Sequence, residues 1–388
     1  MCACPGVMRV AVMAESFLPH VNGVTNSVLR IVEHLERRGH EAFVIAAGSS
    51  DHMGSSSKRE LSSYADAPIV RMASLPLPRY PQVRLHLART GTIADILREI
   101  DPDVVHLASP FFTGIPTVRA AQLLDIPTVA VYQTDVASFV ERYGLGVVRP
   151  LVWRHLRAIH QGADRTLAPS RSAMTDLQAH GIPRVHLWQR GVDATRFAPT
   201  HRSVALHDQW APRGEVVVGY LGRLAPEKQV EDLAVLSDLP GVRLVIIGDG
   251  PSAPELRRRL PAAHFTGQLT GAALSQAVAT VDVMVHTGPH ETFCQSVQES
   301  LASGIPVVSV AAGGPLDLVD PSRTGWLYPP GDLSVLRNAV RDLAGDARKR
   351  SAMGARARES VLHRTWESIG DELITHYSAA RTIETVAG

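Results

Sequence analysis

One phrase recurs through this 388-residue chain. A stretch with helical apolar spacing runs into Pro or Gly, and a short β-branched strand follows at once: "LREIDPDVVHLAS", "LLDIPTVAVYQTD", "LSDLPGVRLVIIGDG", "SLASGIPVVSVAAGG". The opening has the same grammar, with "RVAVMAES" as a first strand, "TNSVLRIVEHLERRGH" as a helix stopped at Gly39, and "EAFVIAAG" as the next strand. Alternation of this kind builds parallel sheets with helices on both faces, because each parallel crossover needs a helix.

One seam divides the pattern. Residues 189–223 hold a polar, Pro-containing stretch before a fresh strand at 216–221. The reading is therefore α/β, with two doubly wound, Rossmann-like parallel-sheet domains, residues 8–195 and residues 214–364. The segment 365–388 is an amphipathic helix expected to pack back on the first domain. Ligands in such folds bind at the carboxyl ends of the strands, so two facing domains place a site in the cleft between them.

Composition removes several classes. A net charge of +1 gives no global field for nucleic acid, although the first 195 residues carry +3 and the rest −2. No apolar run approaches the roughly 20 residues needed to cross a bilayer. Three cysteines, Cys2, Cys4 and Cys294, form no CxxC pair and suit neither a disulfide scaffold nor a zinc site. They fit a reducing compartment, so a cytoplasmic location is expected. The start "MCACPGV" lacks the apolar run of a signal peptide, and the fold reading begins at Met8.

Chemistry concentrates at the strand–helix corners of the second domain. In "VVVGYLGRLAPEK" a strand gives way to Arg223, then to Pro226 and Glu227 opening a helix, then to Lys228. Two cations beside a helix start form a diphosphate clamp, the alternative being two solvated surface charges. "GDGP" is an incomplete dinucleotide fingerprint and reads as a structural turn. In "GPHETFCQSVQES" the expected helix begins near Thr292 and Phe293, whose N–H groups would meet a phosphate. Glu291 would accept from sugar hydroxyls and Glu299, two turns on, from a ribose, since a carboxylate is acceptor-only. Singly, each glutamate also reads as a dipole partner or a surface charge.

"GRLAPEK", "GDGP" and the E-x7-E pair of "ETFCQSVQE", in this order, resemble the retaining nucleotide-sugar glycosyltransferases of family 4, which have the GT-B fold. The resemblance spans the chain from Met8. It implies that Arg223 and Lys228 hold the donor diphosphate, that Glu291 meets the donor sugar and Glu299 the ribose, and that the Leu269 backbone in "FTGQLT" edges the base. It also implies that Gly23, in "AESFLPHVNGVTNSV", lets backbone approach the diphosphate from across the cleft. Where many relatives carry a His-Thr pair, this chain has Gln133-Thr134-Asp135. Asp135 becomes the candidate for the donor sugar or the acceptor hydroxyl, or else a helix N-cap.

"VYQTDVA" with "AAGGPLDLV" is most similar to actinobacterial GDP-mannose-dependent α-mannosyltransferases acting on glycolipids or lipoglycans; sulfoquinovosyl and glucosyl transferases to diacylglycerol, which use UDP-sugars, have similar amino-terminal loops. The implied reaction is transfer of a hexose with retention, with Asp135, Arg223, Lys228 and Glu291 in the catalytic set. No metal-ligand cluster stands out, and no cofactor beyond the nucleotide-sugar donor, GDP-mannose, is expected. Epimerase, hydrolase, phosphorylase and non-catalytic binding readings stay open. "RYGLGVVRPLVWRHLRAIH" (142–160) and "LPRYPQVRLHLAR" (77–89) mix Arg with apolar residues, as a peripheral contact with anionic lipid would or as a half-buried helix would.

Overall fold

A computed structural model describes residues 6–19, 22–48, 61–77, 80–86, 89–136 and 146–387. The chain forms two sheets stacked with helices. In the first half β1 (Arg9–Ala14), β2 (Glu41–Ala47), β3 (Leu61–Tyr64) and β4 (Ala67–Met72) come first; β5 (Ser74–Leu77) and β6 (Tyr80–His86) form a separate antiparallel pair. Then follow β7 (Val104–Ala108), β8 (Thr128–Val131), β9 (Arg165–Ala168) and β10 (Val185–Leu187). The first sheet runs β10-β9-β8-β7-β1-β2-β4-β3 and is parallel except for the β3–β4 edge. The second half supplies β11 (Val216–Leu221), β12 (Val242–Ile247), β13 (His264–Gly267), β14 (Val283–His286), β15 (Val307–Val310) and β16 (Gly325–Tyr328). These form one parallel sheet in the order β13-β12-β11-β14-β15-β16.

Local chemistry sets the first helix. Asn22 caps Gly23–Arg37 by accepting from the Val24 and Thr25 N–H groups at 2.9 Å each. Val28, Ile31, Val32 and Leu35 then recur at helical spacing and are buried against β1 and β2. The helix stops before Gly39 at φ 77°, the left-handed geometry that glycine supplies at a helix end.

The C-terminal helix Trp366–Ala387 lies on the first domain. Tyr377 Oη and His106 Nδ1 meet at 2.9 Å in the core, and Trp188 Nε1 donates to Ile369 O at 2.9 Å. Arg38 and His34 both reach Asp371 from the first helix, at 2.6 and 2.9 Å. The segment after β10 belongs to the second core, where Val192, Phe197, Trp210 and Ala211 pack with Val217 and Val245.

Each sheet has a switch point at which the direction of winding reverses: between β1 and β7 in the first, and between β11 and β14 in the second. The loops leaving those strands are where ligand chemistry belongs.

Candidate active site

Arg223 and Lys228 lie on the loop after β11, and Glu291 lies on the loop after β14. The two loops meet: Lys228 Nζ donates to Glu291 Oε1 at 2.5 Å. The side chains are only 23% and 16% exposed. Burial opposes both charges, yet each holds the other ionised, so Glu291 lies below the usual carboxylate range and Lys228 above the usual ammonium range. His286, at the end of β14, closes the underside, its Nε2 3.1 Å from Gly288 O and 3.4 Å from Glu291 Oε1. Burial pushes the His286 pKa down and favours the neutral ring. Arg223 is the exposed cation of the corner, 3.9 Å from Glu227 Oε1.

His286, Glu291 and Cys294 bring one potential ligand atom each within 4.8 Å of one another. The Lys228 ammonium already occupies the Glu291 oxygen, and burial pushes the Cys294 thiol pKa well up. An added cation would face a fixed positive charge and a protonated thiol, so the trio does not fit a metal.

Two helix starts differ from the sequence expectation. Pro226–Lys228 is a single 3-10 turn, ended by Gln229 at φ 47°. Three residues align too few peptide dipoles to hold an anion, so charge at this corner comes from the Arg223 and Lys228 side chains. After Glu291 the helix is Gln295–Ala302, with Cys294 before it at φ 75°. That left-handed residue delays the helix, and Thr292 and Phe293 are loop residues. The Phe293 side chain is 2% exposed and packs in the second core. The Thr292 hydroxyl instead donates across the cleft to Gln133 O at 2.8 Å.

Glu299 lies in the second turn of that helix, half-buried. Burial pushes its carboxyl up to about 7, against the pull of Arg196 and Gln295. Leu269 occupies the turn after β13, packed against the second core. Gly23 is the first residue of its helix rather than a loop residue. A Cβ there would meet nothing nearer than Arg190 Nη1 at 3.7 Å, so the protein's own packing does not demand glycine. Asp135 Oδ1 accepts from Tyr132 Oη at 3.3 Å. It lines an interdomain cavity of about 550 Å³ together with Asp176, Arg171, Glu291, Thr292 and Asp317. Burial raises the Asp176 pKa, and the Asp135 charge adds to the rise. The Arg171 N–H donates to Asp317 Oδ2 at 2.6 Å, a second link between the domains.

Sequence reasoning missed three parts of the site. Arg190 donates from Nη1 to Gly23 O at 3.2 Å and from Nη2 to Gln133 Oε1. Burial brings its pKa down to about 10, with Glu291 acting in the opposite sense. Asp176 joins Asp135 at the cavity wall, and nothing local in its sequence marks it. Gly313, at φ 62°, abuts the Glu291 loop so closely that a Cβ would lie 2.4 Å from Glu291 O. The next residue, Gly314, donates its N–H to that oxygen at 2.7 Å. The "GG" of "AAGGPLDLV" was a visible signal of close backbone approach.

The Arg-rich segments change in meaning. Val152, Trp153 and Leu156 on the helix Arg149–Gly162 are buried, Trp153 stacking on His180 at 3.5 Å between ring centroids. They serve the first domain's core and are not lipid anchors. Val147 and Leu151 remain exposed, at 89% and 53%. Arg142 and the side chains of 77–88 lie outside the described residues.

Two parallel-sheet domains with opposed switch points and a charged cleft between them define the GT-B class of glycosyltransferase. The Anabaena protein HepE in its complex with UDP has this fold, with a TM-score of 0.75 at 18% identity over 96% of this chain and 100% of that one. Residues 21–196 match the model of Glycosyltransferase Family 4, and residues 206–360 match Glycosyl transferases group 1. A GDP-mannose-dependent alpha-mannosyltransferase of Mycolicibacterium smegmatis is 51% identical over 96% of this chain and 97% of its own length. One of the same description from Mycobacterium tuberculosis is 48% identical over 96% of this chain and 97% of its own. The chain belongs to glycosyltransferase family 4.

Proposed function

We propose that this enzyme transfers mannose from GDP-mannose, with retention, to a hydroxyl of a glycolipid or lipoglycan acceptor. The observation that carries the donor is the near-full-length identity of about half to relatives so described. The geometry supplies the chemistry. Arg223 and Lys228 stabilise charge that develops on the leaving diphosphate, in a cleft where preorganised cations cost no reorganisation. Glu291 faces the hexose and Glu299 the ribose.

Double displacement needs a nucleophile beside the anomeric carbon. The Glu291 carboxylate is tied to Lys228, which makes it a poor nucleophile. Retention then follows from attack on the face the phosphate leaves, with a phosphate oxygen taking the acceptor proton. Asp135 and Asp176, at the cavity wall, receive the acceptor's hydroxyls.

Among the described residues no helix is long and apolar enough to cross a membrane. Exposed Val147, in the turn before the helix Arg149–Gly162, and exposed Leu151, near Arg154 on that helix, support a peripheral contact with anionic lipid that brings the acceptor to the cleft. The test is a calorimetric panel of GDP-mannose, GDP and UDP-glucose, followed by assignment of the product anomer by NMR. The expected result is tightest binding of GDP-mannose and an α-linked product. Preference for UDP-glucose would move the enzyme to another donor.

A further inference from the structure

His286 is the last residue of β14 and is 2% exposed. Its ring stacks on Tyr220 of β11, with 6.5 Å between centroids and the planes 9° apart. Nε2 faces two oxygens, Gly288 O at 3.1 Å and Glu291 Oε1 at 3.4 Å. Nδ1 is buried and has no hydrogen-bond partner among the described residues. These surroundings choose the tautomer. A proton on Nδ1 would be a buried donor with no acceptor, and a bare Nε2 would meet the lone pairs of two oxygens. The proton of the neutral ring therefore lies on Nε2, which donates to Gly288 O and turns its positive edge toward Glu291 Oε1.

The two oxygens of Glu291 have different surroundings. Oε1 takes the Lys228 ammonium on one side and the His286 ring edge on the other. No hydrogen bond from the described residues reaches Oε2, and Glu291 lines the interdomain cavity. The last torsion of a glutamate is a broad rotor, so the carboxylate turns unless one oxygen is pinned. Lys228 alone is a weak pin, being a point charge on a flexible stem that the donor diphosphate also claims. The histidine is rigid by comparison. The Thr287 hydroxyl beside it donates to Lys228 O at 2.7 Å, and a Cβ on Gly288 would lie 3.4 Å from His286 Nε2 and 3.3 Å from Lys228 Cα.

We propose that His286 is a positioning residue for hexosyl transfer: its Nε2–H fixes Gly288 O and Oε1 of Glu291, so that Oε2 faces the hexose of the bound donor. The inference rests on the reading that Glu291 meets the hexose.

The experiment is steady-state kinetics on the full chain with the donor selected by the panel above, with GDP affinity measured by calorimetry beside it. The proteins are the wild type, His286→Phe, His286→Gln, Glu291→Gln, and the double variant His286→Phe with Glu291→Gln. His286→Phe keeps a ring against Tyr220 and removes the donor. It should lower kcat about tenfold, the scale of one lost hydrogen bond, while donor KM and GDP affinity stay within about twofold. His286→Gln puts an amide N–H near the place of Nε2 and should regain most of the lost rate. With Glu291→Gln already present, His286→Phe should lower kcat no further, because it acts through that carboxylate. Nitrogen NMR of isotope-labelled histidine in the wild type should show His286 as the neutral Nε2–H tautomer at neutral pH, a measurement that needs no variant to fold. Full kcat in Glu291→Gln contradicts the reading of Glu291 itself, a failure visible apart from that of His286. Full kcat in His286→Phe beside a lowered kcat in Glu291→Gln, an additive loss in the double variant, or the Nδ1–H tautomer overturns the proposal.

Discussion

Lys228 and Glu291 are separated by 63 residues, yet Nζ and Oε1 lie 2.5 Å apart across the switch point between β11 and β14. The pair fixes the loop after β11 to the loop after β14. Removing one partner strands a largely buried charge. Lys228→Met should lower stability by about 3 kcal/mol, the low end for breaking a buried pair. The double variant Lys228→Met with Glu291→Gln should recover most of that loss, because no charge is left unpaired. Chemical denaturation of the wild type and these two variants measures it; a double variant no more stable than Lys228→Met alone contradicts the coupling.

Glu299 gives the donor affinity a pH dependence of predictable sign. Burial pushes its carboxyl up to about 7 in the free enzyme, and only the ionised form can accept from two ribose hydroxyls with both oxygens, the protonated acid spending one of them as a donor. Affinity is then full well above pH 7. It falls as pH drops through 7, by at most about tenfold for each unit below it. Glu299→Gln should flatten the profile. GDP titrations between pH 5.5 and 8.5, the span of about one to two units on either side of that value, decide it.

Asp135 and Asp176 should act on the acceptor side. Asp135→Asn is expected to raise the acceptor KM with little change in donor KM, since both carboxylates line the interdomain cavity. Initial-rate kinetics with each substrate varied in turn separate the two constants. A rise confined to donor KM would place Asp135 on the hexose instead.

The C-terminal helix is held to the first domain by a buried polar contact. Tyr377→Phe removes the hydroxyl that meets His106 Nδ1 and leaves the ring in the core unpaired. A loss of about 1–3 kcal/mol in stability is expected, with kcat unchanged. Thermal unfolding with parallel rate measurements checks both halves.

The architecture was legible because helical and strand periods alternate openly, and the strand expected at 216–221 is β11, Val216–Leu221. The charged corners were legible because Arg223, Lys228, Glu291 and Glu299 carry their chemistry in their side chains. What stayed hidden depends on backbone dihedrals or distant contacts. A positive φ at Cys294 shifts a helix start, and no residue preference announces it. The β5–β6 pair and the antiparallel β3 edge lie outside the helix–strand alternation. Arg190 and Gln133 are 57 positions apart, and each alone is an ordinary polar residue. Trp153 looked amphipathic on a helix whose apolar side is simply the core.

The central claim is that Glu291 and Glu299 bracket one donor, the first at the sugar that changes shape in the reaction and the second at the ribose that does not. Steady-state kinetics of Glu291→Gln and Glu299→Gln, with GDP affinity measured beside them, test it most directly. Only interactions stronger in the transition state accelerate chemistry, so Glu291→Gln should lower kcat by about a hundredfold while Glu299→Gln mainly raises donor KM. Freed from Glu291, Lys228 remains available to the diphosphate, so GDP should bind Glu291→Gln at least as well as the wild type. Full kcat in Glu291→Gln, or a loss of GDP affinity as large as that of Glu299→Gln, would show that Glu291 serves only to hold Lys228.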